Sequence, residues 1–360
     1  MATIEPTLAG QVALVAGATR GAGRGIARAL AASGAFVYCT GRSAAGHPRG
    51  VDRPETIDET VALIEQAGGR AVAIRTDHTN EDEVKRLADR VRSEAGRLDV
   101  LINSIWGADP MLNWSQRFWE IDLATLRAYL DQTLVSHLIT NRHLAPLMVE
   151  ANRGLIVEVI DGHFAGYRGH ILYDLTKASL ARLAYGMAME LVGTGITALA
   201  LSPGFLRSEA VLEHFGVREE NWRDAIAKDP YFAESETPAL VGRAAGALAA
   251  DPDVKRKAGL IHFASDLARE YGFSDVDGRY VGFDDKVHHA RPGHAVYDNF
   301  SGWDIYRSDF TLLCLIEPKR AQDMCESIAL MARQNGSIDR WPTANHWANQ
   351  VNAQKLRRRP

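Results

Sequence analysis

Between Val12 and about Phe263, short β-branched runs alternate with longer amphipathic ones, and few folds satisfy that alternation. The runs Val12–Ala16, Phe36–Thr40, Ala71–Arg75, Val100–Asn103, Leu155–Ile160, Thr197–Leu201 and Leu260–Ala264 read as strands. Between them, Gly25–Ala32, Glu81–Glu94, Ala124–Val149 and Lys177–Leu191 carry apolar residues at spacings of three and four, the period of helices that bury one face. Repeated βαβ units of this kind predict an α/β chain with a doubly wound, seven-stranded parallel sheet. Gly41–Glu55, rich in Gly, Pro, Arg and Ser, reads as a surface loop. Phe205–Glu236 is helical but broken by Gly216 and Pro230, an insertion of the sort that caps a substrate pocket.

A chain of 360 residues can bury a large core, and its formal charge of -4 gives no basic field to concentrate nucleic acid or anionic lipid. Nucleic acid is therefore set aside as a partner. Met1–Gly10 lacks the basic head and apolar run of a signal peptide, and no apolar stretch approaches the ~20 residues of a membrane span. The expectation is a cytoplasmic protein without a membrane partner. Cys39, Cys314 and Cys325 are scattered and form no CxxC pair, so neither a disulfide framework nor a zinc ribbon is predicted.

The first strand runs into Gly17-Ala18-Thr19-Arg20-Gly21-Ala22-Gly23, and a helix follows. Glycines at such a junction allow a tight turn, let a pyrophosphate approach the backbone, and present helix N-terminal amides to its charge. Gly17, Thr19, Arg20, Gly21 and Gly23 are accordingly read as dinucleotide-binding. An acidic residue at the end of strand two would bond the adenosine ribose of NAD, whereas an arginine would pair with the extra phosphate of NADP. The segment there is Thr40-Gly41-Arg42-Ser43, and Arg20 lies in the turn beside it, which favours NADP(H) over NAD(H).

Gly17-x-x-x-Gly21-x-Gly23, Asp77 after strand three, Asn103 after strand four, Tyr173-x-x-x-Lys177 and Pro203-Gly204 occur in the order and spacing of the short-chain dehydrogenases/reductases. Residues 8 to 277 resemble that family, and within it the subgroup whose last strand is followed by a Ser-Asp-Leu-Ala-Arg-x-Tyr-Gly segment, here Ser265–Gly272. The resemblance implies a Rossmann fold, a carbonyl or alcohol as small-molecule substrate, and a homodimer or homotetramer paired through the helices at Ala124–Val149 and Lys177–Leu191. It also implies that Asp77 and its neighbour His78 meet the adenine side, Asn103 the adenosine ribose region, and Pro203, Gly204 and Phe205 the nicotinamide amide and diphosphate. Tyr173 and Lys177, four apart on one helix face, would act as acid/base and electrostatic partner, Lys177 also holding the nicotinamide ribose.

Two positions depart from the family pattern. Counting along strand five puts Asp161 where the family has its catalytic serine, and an ionised carboxylate repels an alkoxide where a hydroxyl would donate to it. Asp161 serves if protonated, if it binds a substrate amine or hydroxyl, or if a neighbour such as His163 supplies the donor. Counting back from Pro146 puts Thr133, with Ser136 and His137 in the next turn, where the relay asparagine belongs. After strand four, Asn103-Ser104-Ile105-Trp106-Gly107 adds bulk, and Trp106 is read as either pocket wall or core. The rival to an NADP-dependent enzyme is a dinucleotide-binding protein impaired in catalysis.

After about residue 276 the texture changes. Gly278–Asp284, Tyr297–Ser308 and Arg340–Asn345 resemble an internal piece of the large calcium-dependent α-mannosidase family of glycoside hydrolases. Glycoside hydrolysis needs an acid and a second carboxylate flanking the sugar, and the piece stops before them. The chain is therefore read as a reductase domain over 1–276 and an irregular, partly helical, fragment-like extension over 277–360, with one helix at Ala321–Gln334; sugar binding by the extension is the least favoured reading. His288, His289 and His294 fit no compact tetrahedral site, and no metal is predicted.

Overall fold

Seven strands lie side by side in the order β3-β2-β1-β4-β5-β6-β7 and all pair in parallel. They are β1 Val12–Ala16, β2 Phe36–Gly41, β3 Arg70–Arg75, β4 Val100–Asn103, β5 Gly154–Val159, β6 Ile196–Ser202 and β7 Ile261–Phe263. The computed structural model describes residues 8–47, 53–162 and 166–275, with Arg279–Val281, Val287–His289 and Pro318–Asn335 beyond them. The sheet is the predicted doubly wound Rossmann sheet. Its winding reverses between β1 and β4, where the crossovers leave in opposite directions and open a crevice at the carboxyl ends. Register places Ala16 beside both Thr40 and Asn103, and Asn103 opposite Glu158, so the carboxyl ends of β2, β1, β4 and β5 are level with one another at that crevice.

The helices are α1 Gly21–Ala32, α2 Ile57–Gln66, α3 Glu81–Ala95, α4 Leu123–Leu130, α5 Ser136–Ala151, α6 Ile171–Glu190, α7 Glu209–His214, α8 Pro238–Ala250 and α9 Ala264–Tyr271. α2 adds a helix to those read from the sequence; Thr56 caps it by accepting from Glu59 N at 3.1 Å, and Asp58 and Glu59 complement its N-terminal dipole. The single helix expected over Ala124–Val149 is interrupted by a π turn at Asp131–Val135. There Thr133 Oγ1 donates to Tyr129 O at 2.8 Å and Ser136 Oγ to Gln132 O at 2.8 Å, hydroxyl bonds that compete with the regular backbone ladder. α6 starts upstream of the expected Lys177 because His170 Nδ1 caps it, accepting from Leu172 N.

α1 and α8 meet through glycine. A methyl group on Gly25 would lie 1.9 Å from Pro238 O, and one on Gly242 would lie 2.4 Å from Gly25 O. Only two bare Cα atoms let the helix backbones approach this closely.

The chain divides into two compact units, Met1–Ala264 and Ser265–Pro360. The second contains β8 Arg279–Val281 paired antiparallel with β9 Val287–His289, and helix α10 Pro318–Asn335, so the extension is partly helical as predicted. His163, His294, Cys314 and the aromatic run 297–306 lie outside the described residues. Among the described residues, Cys39 and Cys325 are free thiols, and no cluster of His, Cys, Asp or Glu is placed to hold a metal ion. No described helix is long and apolar enough to cross a membrane.

Alanine normally favours a helix over glycine by about 1 kcal/mol. At Gly186 of α6, where an added methyl meets nothing within 4 Å, Gly186→Ala should therefore raise the melting temperature. Gly25→Ala should reverse that sign through overpacking and lower it by roughly 2–10 °C, measured side by side by calorimetry.

Candidate active site

The crevice is lined by Gly17, Thr19 and Arg20 of the glycine turn, Gly41, Arg42 and Ser43 after β2, Thr76, Asp77 and His78 after β3, Ile105, Trp106 and Gly107 after β4, and Gln132 of the π turn. Backbone sterics explain the glycines. A Cβ on Gly17 would sit 2.3 Å from Ser104 O, and one on Gly23 would sit 2.1 Å from Gly17 O. Gly21 has φ +53, and its N–H, at the start of α1, donates to Glu209 Oε2 at 2.7 Å. A carboxylate from α7 thus sits where a helix N-terminus attracts a phosphate. The anion site is formed, and the residues fit a dinucleotide.

Arg20 and Arg42 share this crevice but not their surroundings. Arg20 Nη1 lies 3.2 Å from Glu55 Oε2, whereas Arg42 pairs with no carboxylate among the described residues, its Nη2 folded against Gly107. Asp77 is held by its own turn, its Oδ1 accepting from Thr79 N at 3.0 Å and Thr79 Oγ1 at 2.7 Å. His78 is buried between Thr40 Oγ1 at 2.8 Å and Thr140 Oγ1 at 2.9 Å. Burial first, and then His137, push its pKa down to about 3, so the ring is neutral. Since Thr140 gives its hydroxyl proton to Ser136 O at 2.7 Å, it accepts from Nδ1–H, and Thr40 donates to Nε2.

Asn103 turns away from the crevice into a fully buried network. Its Nδ2 donates to Asn141 Oδ1 at 2.9 Å and to Glu158 Oε1 at 2.8 Å, and Asn141 Nδ2 donates to the same Glu158 oxygen at 2.7 Å. His137 bridges Glu158 Oε2 at 2.6 Å and Ile105 O at 3.1 Å. A carbonyl only accepts, so Nε2 carries a proton, and one further proton lies between Nδ1 and the carboxyl. The clamp on Ile105 fixes the loop that carries Trp106.

Trp106 gathers the rest of the site. Its ring lies 5.4 Å from that of Tyr173 and 4.3 Å from Lys177 Nζ, with Nε1 donating to Asp109 Oδ1 and the carbonyl accepting from Gln132 Nε2. Tyr173 and Lys177 stand one turn apart on α6. Burial pulls the Lys177 ammonium down to about 8, while Asp161 and Asp109 act in the opposite direction. Tyr173 Oη donates to Asp161 Oδ2 at 2.7 Å, and burial followed by that carboxylate pushes the phenol well above its ordinary value. Arg168 Nη2 lies 3.8 Å from the other oxygen of Asp161, and Trp114 lies 5.4 Å from Tyr173 on the outer side. Thr133 Oγ1 is 3.1 Å from Thr176 Oγ1, on the helix of Tyr173. Gly204 has φ +72 after β6 and Pro203, and the Phe205 ring packs at 5.4 Å against Phe232 in the core of the insertion.

This geometry has relatives. The profile of the short chain dehydrogenase family matches residues 11–215, and "Dehydrogenase/reductase SDR family member 1" of Mus musculus is 37% identical over 277 residues, 76% of this chain and 85% of the mouse protein. The chain belongs to the short-chain dehydrogenase/reductase family. A dehydrogenase/reductase from Sinorhizobium meliloti 1021 superposes with a TM-score of 0.58 at 26% identity, covering 72% of this chain and 95% of that one. A 7 alpha-hydroxysteroid dehydrogenase complexed with NADH and 7-oxo glycochenodeoxycholic acid gives 0.59 at 25% identity, over 73% and 96%. The profile of the glycosyl hydrolase family 92 catalytic domain matches residues 267–355.

Within this short-chain dehydrogenase/reductase, sequence reasoning missed Gln132, Trp114, Arg168, Glu209 and Glu158. Only Glu158 carried a local signal, a charge inside the apolar run Leu155–Ile160. Because Glu209 competes for the amide of Gly21, Glu209→Gln should tighten dinucleotide binding by about three- to tenfold at low salt, less at high salt. Calorimetric titration checks this, and unchanged affinity in Glu209→Gln would remove the competition.

Proposed function

We propose that the chain is an NADP(H)-dependent oxidoreductase that interconverts a carbonyl and an alcohol, with Tyr173 as acid and base and Lys177 as its electrostatic partner. The observation that carries the reading is the placement of Tyr173 and Lys177 around Trp106, which also lines the crevice of Arg20 and Arg42. When bound, the dinucleotide donates or accepts the hydride. Thr19, Gly21 and Gly23 cradle its diphosphate with Pro203, Gly204 and the backbone of Phe205, while Arg42, aided by Arg20, meets the extra phosphate of NADP. Asp77 and His78 border the adenine side.

In reduction, Tyr173 gives its phenolic proton to the substrate oxygen; its raised pKa keeps it in the acid form. Lys177 holds the nicotinamide ribose and steadies the phenolate that remains. Thr133 takes the relay position, its hydroxyl facing Thr176 beneath Tyr173. Exposed Leu138, Leu175, Tyr185 and Met189 on α5 and α6 support a homodimer or homotetramer. The contact of Asp161 with Tyr173 favours a second reading, a dinucleotide-binding protein impaired in catalysis.

Fluorescence titration with NADPH and NADH, followed by a panel of ketones, aldehydes and quinones, tests the proposal. NADPH should bind about tenfold or more tightly than NADH, and Arg42→Ala should abolish that difference. Tyr173→Phe should lower kcat/KM by about 10²-fold or more while leaving cofactor affinity intact. Binding without oxidation of NADPH by any of the panel would select the second reading.

Lys177 also sets a pH limb. A lysine lowered to about 8 loses its charge as pH rises through that value, so kcat/KM should fall above about pH 8. In Lys177→Arg, whose guanidinium stays protonated, any residual activity should lack that limb; persistence of the limb would assign it to another group.

A further inference from the structure

Asp161 stands beside Tyr173, next to the atom that changes charge in the reaction. Its Oδ2 accepts the Tyr173 hydroxyl at 2.7 Å, while the Arg168 guanidinium lies 3.8 Å from Oδ1. Both contacts are of the kind a carboxylate anion makes. The side chain remains partly exposed, and aromatic rings flank its partner, Trp106 and Trp114 each 5.4 Å from the Tyr173 ring. The Trp114 wall continues to His170, whose Nε2 has no partner among the described residues.

A carbonyl oxygen gains negative charge as its carbon accepts hydride, and a neighbouring carboxylate opposes that development. A protonated C=N group behaves in the opposite way. It enters as a cation, pairs with the carboxylate, is attracted by the faces of aromatic rings, and becomes neutral as it is reduced. The carboxylate also raises the basicity of the bound nitrogen, so that the substrate is held in its reactive, protonated form.

We propose that this site reduces cationic C=N substrates, cyclic imines flanked by a planar or aromatic ring, in preference to ketones of the same shape, with Asp161 as the counter-ion of the nitrogen. The inference rests on reading the crevice as a hydride-transfer site. The iminium carbon gains a C–H bond with the two electrons that leave C4 of the reduced nicotinamide dinucleotide, which is thereby oxidised. The C=N π pair becomes the nitrogen lone pair, and the nitrogen keeps the proton it carried in. Tyr173, held protonated by the same carboxylate, fixes Oδ2 through its hydrogen bond, and Trp106 and Trp114 form the walls against which the ring lies.

The test compares 3,4-dihydroisoquinoline with 1-tetralone as NADPH-dependent substrates of the full chain, alongside Asp161→Asn and Asp161→Ser, with circular dichroism to establish that each variant folds. The wild type should favour the imine in kcat/KM by about tenfold or more, and Asp161→Ser should lower the imine value and raise the ketone value. A second readout needs no turnover. Tetrahydroisoquinolinium should bind the wild type about tenfold more tightly than it binds Asp161→Asn, while the neutral ketone should bind both alike. A wild type that prefers the ketone, or an amine affinity indifferent to Asp161, overturns this inference and leaves the carbonyl reading standing. Failure to bind NADPH or NADH at all overturns the hydride-transfer reading, and this inference with it.

Discussion

Glu158 is a carboxylate buried in the middle of the parallel sheet, and the architecture of the crevice depends on how it is satisfied. Burying one charge without partners would cost several kcal/mol, so the structure surrounds it with Asn103 from β4 and Asn141 and His137 from α5. The same bonds draw together the strand and the helix that border the crevice. Through His137 they reach Ile105 O and settle the loop bearing Trp106, which in turn packs against Lys177 and Tyr173. A buried polar cluster thereby determines where the aromatic wall stands.

Much of this was legible from the sequence, and the boundary of legibility follows interaction range. β1 and β4 lie where the apolar runs place them, since five and four consecutive buried residues leave no alternative period. The glycine turn was equally plain because backbone clearance at Gly17 and Gly23 is a local requirement. Asp161 could be placed by counting from β5, but its bond to Tyr173 is seen only in the structure. The π turn at Asp131–Val135 was invisible, because apolar spacing does not register one extra residue when both flanking helices keep their faces. Glu209, Arg168 and Trp114 come to the site from distant loops and an insertion, and no periodicity announces such meetings. Asn103 was located correctly in the chain, yet its side chain joins the Glu158 network and leaves the crevice wall to the loop that follows.

Two carboxylates lie close together in the chain at β5 and part in space. Glu158 lies within β5 and Asp161 two residues past its end, so one strand and its exit deliver a carboxylate to the buried network and another to the side of Tyr173. Alternation of side chains along a strand and its exit into a loop separate the two: the first is sealed among amides and an imidazole, the second opens toward solvent beside Arg168. The same functional group is thus sealed in one case and partly open to solvent in the other.

Glu209 belongs to α7, within the insertion that follows β6, yet its carboxylate closes on the first amide of α1. An anion that takes that amide displaces Glu209 Oε2 from it, leaving Oε1 3.6 Å from Arg24 Nη1 on the same helix. The glycine turn and the insertion are therefore joined by a contact that an anion at the turn would exchange. By thermodynamic linkage the exchange runs both ways: a ligand that orders the insertion with Glu209 turned outward raises dinucleotide affinity by the same factor.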